Sequence, residues 1–510
     1  VRPALAALGL GAALAAAAPA LAVDRGVGAA VPKPTASGAP WTDEQIAALA
    51  ANVDVALAGA ATLHGAHVGI YAIDARDGRV LIERNQDQAF QPASTLKLLV
   101  GSAALDHLGP DYRFRTTLVV FGKTVDGAFH GSLVLHAGGD PLLRDADFDD
   151  AATAVANEGI HSVTGVAIDE SHGERAGYLP GWTWDDFAYS YAPVIGPLAL
   201  DENVVHLTVT PAAQAGSIPT VTVTPVGEVV HTLGECSPTA GVQVVMDAVT
   251  GAAGVPDTID VARTRAGCIS VVGQIALGAT PDHLDAAVPN PYAYAYAALV
   301  DALERHGVSV LPAVGPAPLV LPASSEARVV WSHDSEPLRD LLADMWFPSD
   351  NLVAEMLLRE LAFAVDGAPG TTANGIAYEK TWLTGIGVDP SAITLVDGSG
   401  LSVYDRITPI DQVAILQHDW NGPQRDLVLD DLPIAAVRGT LKDDFERDSP
   451  TAGHLFAKSG SLSHVRTMAG YAVNATHGTV IFAFDVDDWV GDPAALADVR
   501  ARVLAHFVQD

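Results

Sequence analysis

Ile46, Leu49, Val53 and Leu57 recur at helical spacing behind a capping-box pair, Thr42 and Gln45, so the pattern predicts an amphipathic helix near the start of the folded chain. From His67 the period shortens to two. The runs GIYAI and RVLIE flank the turn residues Asp77 and Gly78 and predict a β-hairpin. The far end mirrors this order, with MAGYAV and VIFAFDV separated by NATHGT and then a helical pattern over 493–508. The simplest packing lays the two terminal helices on one face of a sheet built from both hairpins, which makes one discontinuous domain.

Between about Phe114 and Val320 the texture changes to short β-rich runs such as GSLVLHAG, VVHLTVTP, TVTVTPV and CISVVGQI, punctuated by Gly, Pro and Asp. Helical spacing returns in YAYAYAALVDALERHG, LRDLLADMW and NLVAEMLLREL, the last two apolar almost all round and suited to a buried all-α side. The expected class is α/β (α+β): an antiparallel sheet flanked by helices, with an all-α side and a large, mainly β insertion. The expected division is 42–115 with 321–510 as one domain and 116–320 nested in it.

Composition narrows the setting. The Ala/Leu run behind Val1-Arg2-Pro3, closing on Ala20-Leu21-Ala22, reads as a secretory signal over 1–22, followed by a Gly/Ala/Pro-rich linker over 23–41. A retained membrane anchor fits less well because Gly9, Gly11 and Pro19 interrupt the run, and no later segment is long and apolar enough to span a bilayer. A secreted, extracytoplasmic protein is expected. Its two cysteines, Cys236 and Cys268, can then form one disulfide. With no histidine cluster beside them they make a poor metal site, and neither metal nor cofactor is expected. The formal net charge of −33 argues against a nucleic-acid partner, since a phosphate backbone would be repelled over most of the surface.

Three short motifs carry chemistry. Ser94 and Lys97, in Pro92-Ala93-Ser94-Thr95-Leu96-Lys97, precede an apolar helical run and so share one face of its first turn. A neutral lysine there can take the hydroxyl proton, while the helix N-terminus favours charge developing on a bound carbonyl. Neutrality requires burial or a second cation, for which Lys458 is the candidate. A lone Ser-x-x-Lys is weak, being expected about a quarter of a time by chance in such a chain. Ser349-Asp350-Asn351 stands before the second apolar helix; it is either a simple N-cap, or Ser349 relays a proton and Asn351 binds substrate backbone. Lys458-Ser459-Gly460 ends the strand-like HLFAKSG, where the two side chains could bind a carboxylate and Gly460 permits close approach of a substrate backbone.

In this order the three motifs resemble those of the penicillin-binding proteins, and the separation of 255 from Ser94 to Ser349 resembles that of the D-alanyl-D-alanine carboxypeptidases of the peptidase S13 family, of the penicillin-binding protein 4 type. The stretches GGDPLL (138–143), PGWTWDD (180–186), YAPVIGPL (191–198) and VDGSGLS (396–402) look like the same family. The resemblance implies a penicillin-binding transpeptidase-like fold and a serine D-Ala-D-Ala carboxypeptidase acting on peptidoglycan stem peptides, with DD-endopeptidase activity as an addition and β-lactams as covalent inhibitors. It implies an oxyanion hole of the Ser94 and Ser461 N–H groups, and recognition of a stem-peptide amine by the acidic pair Asp185 and Asp186, which could equally be a solvated turn. Two departures stand out: Ser459 and Ser461 replace the usual threonines, and Val403 follows DGSGLS where relatives carry a basic residue. A β-lactamase or esterase on the same scaffold, or a non-catalytic wall-binding protein, is the alternative. Gly-x-Ser-x-Gly and His-Glu-x-x-His are absent, and adjacent Ser332, His333 and Asp334 cannot converge as a triad.

Overall fold

The structure, a computed structural model, describes residues 31–510 except 127, 231–235, 238–240, 312–326 and 368. The expected signal (1–22), the linker as far as residue 30 and the expected boundary at 320/321 lie outside the described residues.

Both ends of the chain enter one antiparallel sheet, in the order Leu455–Leu462, Val465–Asn474, Gly478–Asp487, His67–Asp74, Val80–Arg84. The central strand, Gly478–Asp487, is buried along its whole length, and its side chains alternate between two cores. Val480, Phe482, Phe484 and Val486 pack with Leu49, Val53, Leu496, Val503 and Phe507 of the terminal helices, Asp43–Ala58 and Pro493–Gln509. Ile481 and Ala483 face the other way, toward Leu98, Leu99, Leu341, Trp346, Val353 and Leu357 of the helical side. The expected placement of the terminal helices on one face and of an all-α side on the other is what the chain adopts. The capping box of the first helix also forms, Gln45 N donating to Thr42 Oγ1 at 3.2 Å and Thr42 N to Gln45 Oε1 at 3.0 Å.

The middle of the chain builds further sheets around its own core, which includes Leu118, Leu133, Phe148, Val205, Val244, Ile269 and Leu299. Cys236 and Cys268 are joined in a disulfide there, with Cα atoms 6.4 Å apart. One strand departs from the expected division. Ala327–Asp334, beyond the expected boundary at 320/321, pairs antiparallel with Arg115–Phe121, and Asp334 stands in register with Arg115. The chain thus returns alongside the strand by which it left, a long-range pairing that local pattern does not encode.

Phe484→Ala, which empties a fully buried site on the central strand, is expected to cost about 3–5 kcal/mol. Val55→Ala, at a side chain 75% exposed, is expected to stay within about 0.5 kcal/mol, both read from urea denaturation followed by tryptophan emission.

Candidate active site

Ser94 lies in a short 3-10 turn, Ala93–Leu96, that runs straight into the helix Lys97–Leu108. The turn is entered through Ala93 at φ 46°, a conformation that side chains resist. Two hydroxyls fix the residue before it: Thr95 Oγ1 and Thr467 Oγ1 donate to the Pro92 carbonyl at 2.7 and 2.6 Å.

Lys97 is fully buried, and its Nζ lies 3.0 Å from Ser94 Oγ, 2.5 Å from Asn351 Oδ1 and 2.8 Å from the Ser399 carbonyl. Asn351 Oδ1 and the Ser399 carbonyl can only accept. A neutral amine therefore spends its two N–H groups on them and turns its lone pair to the Ser94 hydroxyl, which is the arrangement of a general base. Burial brings the Lys97 pKa down to about 8, while the charges of Asp397, Asp350 and Glu355 pull against the fall. Of the two causes open from the sequence, burial is the one at work, and Lys458 is not among the charges that act on Lys97. The repulsion is felt at the other end: burial and then the charge of Lys97 hold Lys458 well below the usual lysine range.

Ser349 sits at φ 69° with its hydroxyl 2.8 Å from Lys458 Nζ. It is not the helix cap. Asp350 is, accepting from Val353 N at 2.9 Å, and Asn351 opens the helix Asn351–Asp366. Capping by Asp350 leaves Ser349 free to turn into the site and sends Asn351 to Lys97 on one side and, through Nδ2, to the Tyr191 carbonyl at 2.6 Å on the other. The site is therefore tied directly to the 180–191 loop.

Lys458 lies in the edge strand Leu455–Leu462 and donates also to the Ser459 carbonyl at 2.8 Å. The Ser459 hydroxyl meets Thr440 Oγ1 at 3.0 Å, and Ser461 is exposed. Gly460 has a different reason from the one expected. A Cβ there would collide with Thr467 Oγ1 and lie 2.8 Å from the Pro92 carbonyl and 2.9 Å from Ser94 N, so the close neighbour is the Ala93–Leu96 turn itself. Gly400, at φ 78°, meets the Ala93 carbonyl in the same way from the opposite loop.

That loop supplies what motif reading missed. Glu355 accepts from Gly398 N at 3.0 Å and Ser399 N at 2.7 Å, and Asp397 accepts from Gly400 N, Ser402 N and Trp182 Nε1 at 2.7, 2.7 and 2.8 Å. Together they present the Ser399 carbonyl to Lys97. An acidic residue one helical turn after Asn351, set among Leu352, Val353, Ala354 and Met356, was the available signal. Asp186 stands farther out, accepting from the Tyr191 hydroxyl at 2.8 Å and from Thr183 Oγ1 at 2.7 Å, while Asp185 is exposed. Ser94, Lys97, Ser349, Asn351 and Lys458 are thus brought together, with Ser459, Gly460 and Ser461 on the adjoining strand and Asp186 one residue, Tyr191, away.

Comparisons with known proteins point one way. The profile of the D-Ala-D-Ala carboxypeptidase 3 (S13) family matches residues 49–506. A D-alanyl-D-alanine carboxypeptidase of Actinomadura sp. (strain R39) is 31% identical over 92% of this chain and 86% of its own length. The crystal structure of penicillin binding protein 4 (dacB) from Haemophilus influenzae superposes with a TM-score of 0.75 at 25% identity, covering 89% of this chain and 98% of that one. The same protein complexed with a β-lactam gives a TM-score of 0.72 at 24% identity, covering 90% and 100%.

Lys97 should titrate with a midpoint of about 8 in the folded protein, neutral above it and charged below. The chain has six lysines, so carbon-13 labelling of the lysine Cε positions, with a Lys97→Arg spectrum for assignment, resolves it. A midpoint at or above about 10, the ordinary lysine range, would exclude Lys97 as a resting base.

Proposed function

We propose how this chain, which belongs to the D-Ala-D-Ala carboxypeptidase (S13) family and is a serine-type D-Ala-D-Ala carboxypeptidase, carries out its reaction on peptidoglycan stem peptides. The observation that carries the proposal is the Lys97 amine, buried and shared by Ser94, Asn351 and Ser399.

Lys97 takes the proton of Ser94 as Oγ attacks the carbonyl between the two terminal D-alanines. The tetrahedral oxygen is held by the N–H groups of Ser94 and Ser461, donors that cost no reorganisation at the moment of reaction. The leaving amine receives its proton through Ser349, whose hydroxyl is in contact with Lys458. D-Alanine departs, and water then attacks the acyl-Ser94 ester to regenerate the hydroxyl. Lys458 and Ser459 hold the terminal carboxylate, and Asn351 the peptide backbone. The substrate carboxylate is the counter-charge that favours the protonated form of Lys458, so productive binding takes up a proton there. A cross-linked peptide whose leaving amine carries an α-carboxylate satisfies the same contacts, which makes DD-endopeptidase cleavage an extension of this chemistry.

A β-lactam carries the same carboxylate and a strained amide at the position of the scissile bond, and acylates Ser94 irreversibly on the time scale of turnover. Asp186, beside Tyr191 at the rim, offers a carboxylate to an amine on the stem peptide. Ser94 and Lys97 come from 42–115 and Ser349, Asn351 and Lys458 from 321–510, which together form the peptidase domain, and the 180–191 rim comes from the nested 116–320. The substrate lies outside the cytoplasmic membrane, and the Cys236–Cys268 disulfide supports that compartment. No helix among the described residues is long and apolar enough to cross a membrane.

Benzylpenicillin should add its full mass to the wild-type chain and leave Ser94→Ala unmodified, by intact mass spectrometry. The same substitution should lower kcat for release of D-alanine from a D-Ala-D-Ala peptide by roughly 10³-fold or more. Brief labelling with many turnovers of penicillin would instead identify a β-lactamase, and no adduct at any time would refute the assignment of Ser94.

A further inference from the structure

Three consecutive residues that are not glycine, Asp201 (φ 46°), Glu202 (φ 56°) and Asn203 (φ 55°), form a left-handed turn. Each carries a steric cost that glycine would avoid, so the turn persists only because its surroundings impose it. The two outer residues are pinned. Asp201 accepts from Asp145 N and from the Tyr294 hydroxyl, each at 3.2 Å. Asn203 accepts from Leu200 N at 3.2 Å and Val288 N at 2.7 Å, and donates to the Val194 carbonyl at 3.1 Å.

What this scaffold presents is the middle residue. The Glu202 carboxyl is hydrogen-bonded to the side chain of Asp350, between the relay Ser349 and the catalytic Asn351. Two carboxyl groups in contact share a proton, because ionising both would set like charges side by side. Asp350 already accepts from Val353 N at a helix N-terminus, where negative charge is favoured, so Glu202 holds the proton. Among the described residues, charged groups facing Glu202 include Asp344, from the helix Leu338–Trp346, and the cation Arg144.

We propose that Glu202 is a positioning residue of the catalytic centre: as a neutral acid on a left-handed turn, it donates a hydrogen bond to Asp350 and holds the Ser349–Asp350–Asn351 segment in its working geometry. The proposal rests on the catalytic roles given above to Ser349 and Asn351. It explains why a strained turn is spent on a glutamate, and why the strained Ser349, at φ 69°, keeps its hydroxyl on Lys458. It also predicts an alkaline limit. Burial, and then the charge of Asp350, raise the Glu202 pKa to about 8. The positioning is therefore complete below that pH and is lost above it, when two negative charges face each other and the segment loosens.

The test is the second-order rate of acylation by benzylpenicillin, followed by intact mass from about pH 6 to about pH 10. The wild-type rate should rise as Lys97 loses its proton and then fall as Glu202 loses its own. E202Q keeps an N–H donor for Asp350 and cannot ionise, so its rate should rise and then stay level. E202A removes the donor and should be slower by about tenfold across the range. The amide variant also separates Glu202 from Glu355, whose buried carboxyl is likewise raised to about 8. A falling alkaline limb that survives in E202Q overturns this proposal alone. A wild-type protein that forms no adduct at any pH overturns the reading of the site and this proposal with it.

Discussion

Burying the Lys97 amine against the Ser94 hydroxyl on its own turn and two acceptors from far along the chain sets the terms for the surrounding structure. Asn351 and Ser399 lie more than 250 positions beyond Ser94 in the chain, and one nitrogen requires all three within 2.5 to 3.0 Å. An amine without water must have its hydrogen bonds satisfied, and it gives up its proton more readily than in solution. The geometry that satisfies it therefore also makes it a base. Glycines at 400 and 460 follow from the same demand, since backbone from two directions must close on the Ala93–Ser94 turn with no Cβ between.

Two buried lysines side by side would be unstable without compensation. The compensation is a set of carboxyl groups below the site: Glu355 and Asp397 bond the loop N–H groups, while Asp405 and Glu379 are held well above the ordinary carboxylic range by burial and then by the charges of Asp397 and Glu355. Mixed charge and neutrality in this layer lets the amines stay uncharged without leaving a strong negative field beneath them. The charges of Asp397 and Glu355 in this layer act on Lys97 against its burial, which still brings its pKa down to about 8.

Local pattern made the central frame legible. Serine and lysine three apart before an apolar helix can face only one way, and period-two runs at both termini can close only on a shared sheet. What the pattern could not give was set by contacts across long sequence distance. Asp350, not Ser349, caps its helix because Ser349 is drawn to Lys458. Burial, not Lys458, lowers the Lys97 pKa because its depth depends on the helices packed around it. The Ala327–Asp334 strand and the left-handed turn at 201–203 are likewise products of tertiary pairing, invisible to propensity.

These long-range contacts bring residues 180–203 directly against the Ser349–Asp350–Asn351 segment. Its 180–191 loop accepts a hydrogen bond from Asn351 through the Tyr191 carbonyl, and its 201–203 turn reaches Asp350. The Ser349–Asp350–Asn351 segment is thus gripped from the insertion side at two consecutive residues and from the peptidase side by two lysines. A four-way grip suits a segment whose first residue is strained, because a residue held at positive φ keeps that conformation only where its surroundings impose it. A large insertion between nucleophile and relay is on this view part of the site's support: the strain that readies the relay is sustained by contacts that the smaller frame alone does not contain.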